Sequence, residues 1–284
     1  MNSVIKPKKW WISHRHSGKI NIMKIEWTLL WKCIRMGTLK PFCPAFVKRE
    51  QFYGAISVIL YFLTVITVGC GGASKKESDF YYKLGASYMR EGELQKAFVE
   101  LQKAKELDPA NKEVLNLLGL LYFQFEDYEN AIKHFKKAIS IDRKFSDARN
   151  NLGTVYATQK RWKEAIEEFR KAIENPLYQT PETALTNLGF VYYRLKRFDE
   201  AIDAFNKALK RNPDFQRAYL GLALSYNKKS RYGEAASFME EALKRDPLYR
   251  GDRFRAIKDM EERLLRARGE EAEDLRDYLE ILRY

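Results

Sequence analysis

Apolar residues recur three and four places apart through most of the chain after residue 77, the spacing that gathers them on one face of a helix. In residues 182–215 the pattern is plainest. Leu185, Leu188, Gly189 and Tyr192 mark the apolar stripe of a first helix, and Ala201, Phe205 and Ala208 that of a second. The polar turn Lys196-Arg197-Phe198-Asp199 parts them, and Pro213 stops the second. The same 34-residue unit recurs at 78–111, 112–145, 146–179 and 216–249. Arg143 replaces the closing proline in the second copy, and Pro176 stands one place early in the third.

A helix pair of this length with Leu, Gly, Tyr, Ala, Phe, Ala and Pro at fixed places resembles the tetratricopeptide repeat. The resemblance covers 172 of the 284 residues. It implies an all-α fold, a right-handed superhelix of five helix-turn-helix repeats. Small residues at unit positions 8, 20 and 27 allow close helix approach, and large ones at 7, 11 and 24 fill the space beside them. One pair cannot bury its own apolar face, so neighbours must stack on it. Residues 250–284 leave the period. Phe254, Ile257, Met260, Leu264 and Leu265 predict a capping helix over 254–267, ended by Gly269. Leu275, Tyr278, Leu279 and Leu282 mark a second segment, 271–284, that docks, frays or binds a partner.

The net charge of +13 suggests nucleic acid until it is placed. Residues 1–76 hold 13 Lys and Arg against Glu26 and Glu50, whereas residues 77–284 hold 38 basic and 36 acidic residues. The repeats are thus nearly neutral with both signs interspersed, which argues against a phosphate-tracking surface. Residues 1–46 carry Trp10, Trp11, Trp27 and Trp31 without a sustained period. They read as an upstream extension from a misplaced start, or else as a basic aromatic arm. Cys33 and Cys43 are too far apart in sequence for a metal or redox pair of the Cys-x-x-Cys type.

Residues 54–69 form an uncharged apolar run of 16 residues behind Lys48 and Arg49. That is short of the roughly 20 residues of a membrane span and close to the ~7–15 of a secretory core. Gly69 directly precedes Cys70, and this resembles the lipobox of bacterial lipoproteins, although Thr67 stands where leucine is usual. The resemblance implies a signal peptide over 47–69, cleavage before Cys70, lipidation of Cys70 and a short tether over 70–77. Gly71 after the cysteine implies sorting to the outer membrane, with the repeats facing the periplasm. An uncleaved helix in the inner membrane is the alternative.

Two extra residues, Thr180 and Pro181, part the third and fourth units, and Pro176 and Pro181 stiffen the link. Asn175-Pro176-Leu177-Tyr178, Thr180-Pro181 and the following Asn187-Leu188-Gly189 resemble the corresponding seam of the type IV pilus biogenesis and stability lipoproteins, the PilF/PilW pilotin family. That resemblance implies a protein partner, a secretin or another envelope-assembly protein. A scaffold in cell-wall or polysaccharide machinery is the alternative.

No catalytic constellation emerges. The repeats hold one histidine, His134, beside Phe135, where packing is the ordinary role, and no phosphate loop or nucleophile motif. An enzyme, a cofactor, a metal, a nucleic acid and a small-molecule substrate are therefore not expected. In the tetratricopeptide family the first helices line the concave groove, and the resemblance carries this role to Tyr82, Asn116, Leu120, Phe123, Asn150, Thr154, Thr186, Phe190, Tyr193, Arg194, Leu224 and Asn227. Leu120 and Leu224 fit equally well as packing between neighbouring helices. Unit position 5 reads Tyr, Asn, Asn, Thr and Leu, which lacks the lysine/asparagine clamp for a free carboxylate. The expected ligand is a hydrophobic or amphipathic protein segment.

Overall fold

The computed structural model describes residues 74–284. The extension over 1–46, the leader over 47–69 and the lipidation site Cys70 lie outside the described residues. Twelve helices and no strand make up the described chain. Five pairs follow in order: α1 (74–90) with α2 (Leu94–Leu107), α3 (Lys112–Gln124) with α4 (Tyr128–Ile141), α5 (Ser146–Thr158) with α6 (Trp162–Ile173), α7 (Pro181–Arg194) with α8 (Phe198–Arg211), and α9 (Gln216–Lys228) with α10 (Tyr232–Arg245). A last pair, α11 (Arg253–Leu264) and α12 (Gly269–Arg283), completes the chain. None of the described helices is long and apolar enough to cross a membrane.

Each pair is built by the same few local devices. The residue at unit position 15 turns the chain between the two helices with a positive φ: Gly92, Glu126, Lys160, Lys196 and Ser230. Glycine adopts this conformation at little cost and the other four do so under mild strain. At the far end an Asp or Asn side chain accepts the backbone N–H two residues on, at 3.1 Å for Asp108, 2.9 Å for Asp142, 3.0 Å for Asn212 and 2.7 Å for Asp246. These turns end the second helices, so the missing proline at Arg143 costs little: Asp142 makes the exit by itself. In the third unit Asn175 does the same for Leu177 and also donates to Lys144 O at 2.9 Å, pinning the seam to the repeat before it. Burial of Tyr178 at this seam pushes its hydroxyl up to about 12.

The core follows from glycine facing an aromatic ring. A Cβ on Gly189 would stand 2.6 Å from the Phe205 ring, and one on Gly221, in the next repeat, 2.3 Å from the same ring. Phe205 therefore fills a slot that only two hydrogens leave open, and it joins α8 to α7 and to α9. Phe135 and Phe169 each face one glycine of their own pair in the same way, Gly119 and Gly153. Successive first helices α3, α5, α7 and α9 touch one another, whereas successive second helices make no comparable contact. The array therefore curves with the first helices on its inner side.

Three sequence expectations need correction. From residue 74 on, the presumed tether belongs to α1, because Ser74 and Ser78 donate to Leu107 O and Ala104 O, each at 2.8 Å, and bind it to α2. Gly269 opens α12 with a φ of 57° instead of ending α11, which stops at Leu264. The apolar stripe expected on the capping helix is split. Met260 is buried with Ala256, while Phe254 is 85% exposed and Leu265 79%. The reason is that α12, and not α11, covers the end of the array, against both α9 and α10.

Candidate protein-binding groove

The inner side carries a ladder of side-chain amides. Asn151 Nδ2 donates to Asn116 Oδ1 and Asn187 Nδ2 to Asn150 Oδ1, each at 3.0 Å, and Arg217 Nη1 donates to Asn187 Oδ1 at 2.9 Å. Each bond crosses from one repeat to the next and ties neighbouring first helices; Asn116 and Asn150 are buried beneath it, while Asn151 and Asn187 stay half-buried. The expected site residues Asn116 and Asn150 are thus rungs of this ladder. Their partners Asn151, Asn187 and Arg217 were missed by the sequence reading. The recurring Asn-Leu-Gly of 151–153 and 187–189 is the signal that marks the two asparagines.

Tyr82, Leu120, Phe123, Thr154 and Phe190 are half-buried along the same side. Burial raises the Tyr82 hydroxyl above its ordinary value, with the Glu113 carboxylate adding to it. Phe123 leans on Tyr128 with ring centroids 5.9 Å apart, and Phe190 meets Phe205 edge-on at 5.1 Å. Phe190 is consequently part anchor and part core. A cavity of about 220 Å³ opens between Thr154, Thr158, Trp162, Asn187, Phe190 and Arg217. Apart from those that α12 covers, four expected groove residues lie beneath the surface: Asn116 and Asn150 in the ladder, and two more. Leu224 is buried in the core, and Thr186 is 0% exposed with a hydroxyl that finds no partner among the described residues.

The remaining three, Tyr193, Arg194 and Asn227, meet α12. Arg194 forms a two-pronged bond to Asp274, at 2.8 and 2.5 Å, and reaches Glu270 at 3.0 Å. Tyr193 Oη donates to Asp277 at 3.1 Å, Lys228 Nζ lies 2.7 Å from the same carboxylate, and Asn227 Nδ2 donates to Glu280 at 3.3 Å. Lys160 reaches Glu270 at 3.3 Å. Burial would pull the Arg194 guanidinium down, but the bond to Asp274 and the nearby Glu270 outweigh it and hold it above its ordinary value. Burial, then the charge on Asp277, drives the Tyr193 hydroxyl well up, so it stays a donor. Burial does the same to Tyr278, which α12 presses toward the groove. The groove is thus open over the first repeats and covered over the last two.

His134 stacks on Tyr122 with ring centroids 4.9 Å apart, and its Nδ1 lies 2.8 Å from Asn130 O. Burial lowers its basicity. Among the described residues there is no group of three or more His, Cys, Asp or Glu placed to hold a metal ion.

No curated protein matches the chain significantly. Among solved structures, PilF of Pseudomonas aeruginosa is 23% identical over 72% of this chain and 90% of that one, with a TM-score of 0.59. PilW, described as a type IV pilus biogenesis factor, is 22% identical over 71% and 90%, also with a TM-score of 0.59. MamA of Desulfovibrio magneticus RS-1 is 19% identical over 59% and 94%, with a TM-score of 0.51. At these identities the likeness is one of fold. Models of the tetratricopeptide repeat match residues 78–144, 113–176, 183–215 and 216–247, together more than half of the sequence. The chain belongs to the tetratricopeptide repeat family.

Proposed function

We propose that this chain is a membrane-attached adaptor of the bacterial envelope. Its open groove holds a segment of an assembly protein, and the assembly it serves is a type IV pilus, through the secretin ring or a protein acting with it. The observation that carries the reading is the amide ladder, in which Asn151 and Asn187 stay half-buried over the buried Asn116 and Asn150, flanked by Leu120, Phe123 and Thr154. Amides can pair with a bound backbone while the flanking apolar side chains take its side chains, the ordinary division of labour in peptide recognition. The likeness of fold to PilF and PilW, and the resemblance of the 175–189 seam to their family, support the pilus as the assembly. Acylation of Cys70 would supply the attachment, since several acyl chains hold a protein to a bilayer far better than one.

Leu120→Arg and Thr154→Arg test the reading. Both positions are half-buried on the inner side, so a long charged side chain blocks the groove without entering the core; Thr154 shares its cavity with Glu270 of α12, and Leu120, in the second repeat, does not. The expected result is a normal melting curve together with loss of surface pili and of cross-linking to the secretin in the native host. Normal piliation by a stably folded variant would rule the groove out. Cys70→Ala, followed by intact mass spectrometry of the membrane-extracted protein, tests the anchor: the acyl mass should vanish.

A further inference from the structure

The acidic residues Glu270, Asp274, Asp277 and Glu280 recur three or four places apart and so share one side of α12. Each meets a cation, a phenol or an amide of the repeats: Lys160 and Arg194 for Glu270, Arg194 for Asp274, Tyr193 and Lys228 for Asp277, and Asn227 for Glu280. On the adjoining face Leu275, Leu279 and Leu282 are buried against the end of the array. We propose that the inner surface of the last two repeats is a seat for an acidic amphipathic helix. The chain's own α12 fills it at rest, and a partner helix carrying the same pattern takes its place. The inference rests on reading the groove as a recognition surface and names the chemistry of the segment it recognises.

Three observations mark α12 as a stand-in and not as one more core helix. A cavity of about 510 Å³ remains beneath it, among Phe190, Arg217, Leu220, Tyr249, Met260 and Tyr278, whereas the repeats close on Phe205 with no room for a methyl group. Asn227 is only 7% exposed, yet its Oδ1 has no donor among the described residues, so the seat offers an acceptor that α12 does not use. The helix that tethers α12 is itself weakly held, since α11 buries only Ala256 and Met260 along its length. Charge complementarity decides the occupant. The seat presents Arg194, Lys228 and Lys160, and a basic or neutral helix would leave them unpaired. A partner competes against a tethered helix whose effective concentration is on the order of millimolar. It must therefore supply an apolar face as well as the acidic one.

The test uses the full chain and, as probe, a fluorescein-labelled peptide of residues 269–284, with binding read by fluorescence anisotropy. Asp274→Asn combined with Asp277→Asn weakens the resident helix without changing its shape. The peptide should bind this variant at least tenfold more tightly than the unaltered chain, and Arg194→Glu in the same background should abolish the gain. Equal binding to both chains, binding indifferent to Arg194→Glu, or no binding at all would overturn the proposal and make α12 a permanent end wall. Should the double variant melt early, Asp274→Asn alone replaces it, read by amide hydrogen exchange. In that variant α12 should exchange faster than α9, and equal protection would overturn the proposal. Because Leu120, unlike Thr154, does not share a cavity with α12, the Leu120→Arg test of the groove reading can succeed when this one falls.

Discussion

Phe205 in the fourth repeat lies where neither Gly189 nor Gly221 could carry a methyl group, while Tyr278 of α12 lies beside a cavity of about 510 Å³. The repeats hold together by shape, through rings seated against glycines and amides bonded from one repeat to the next. The final helix adds charge to an apolar footing: Leu275, Leu279, Ile281 and Leu282 are buried, and on its inner face carboxylates meet Arg194, Lys228 and Lys160. Tight apolar packing is insensitive to salt and intolerant of small changes in volume, whereas partly exposed ion pairs yield to salt and to a competing anion. One end of the same inner surface therefore answers to volume, and the other to volume and charge together.

Substitutions can break this contrast. Phe205→Ala should cost about 3–5 kcal/mol, seen as an early unfolding midpoint in urea, because it leaves a cavity shared by two repeats. An effect below 1 kcal/mol would mean that the lock is not rigid. Arg194→Ala should cost roughly 2 kcal/mol, and the loss should fall on α12 alone in hydrogen exchange, with salt narrowing the difference from the unaltered chain. If α8 loosened equally, the two ends would be one cooperative unit. Lys196→Gly should stabilise the repeats by about 1 kcal/mol or less, since Lys196 stands at a φ of 60° and makes no ion pair within the described chain. The smallest effect concerns His134. Burial lowers its pKa in the folded chain below the 6.5 of the free side chain, so the unfolded chain takes up the proton first. The stability of the second repeat should therefore fall as pH drops below about 6.5, and His134→Phe should flatten that dependence in thermal melts.

The repeat period, the helical class and the core were legible in the sequence because Leu188, Gly189, Phe205 and Ala208 do local and repeated work. A residue that must fit its own pair recurs at a fixed interval, and the interval is visible. The helix exits were credited to proline, whereas the structure assigns them to Asp108, Asp142, Asn212 and Asp246, one place earlier. Asn116, Asn150 and Thr154 were assigned to the groove by position alone; the structure leaves Thr154 half-buried and buries Asn116 and Asn150 within the ladder. Asn151, Asn187 and Arg217 escaped because their roles lie in bonds to other repeats.

The sequence by itself determined the 34-residue unit, the five pairs, the near-neutral charge of the repeats and the apolar stripe of the last segment. Only the tertiary structure decided that Leu224 and Thr186 are buried, that Tyr193, Arg194 and Asn227 hold α12, and which part of the groove stays open. The physical reason is the range of the interactions. Helices and their stacking follow from contacts three, four and 34 residues apart, which a period records. The bonds from Tyr193 to Asp277 and from Arg194 to Asp274 join residues 84 and 80 places apart, and no period in the chain encodes them.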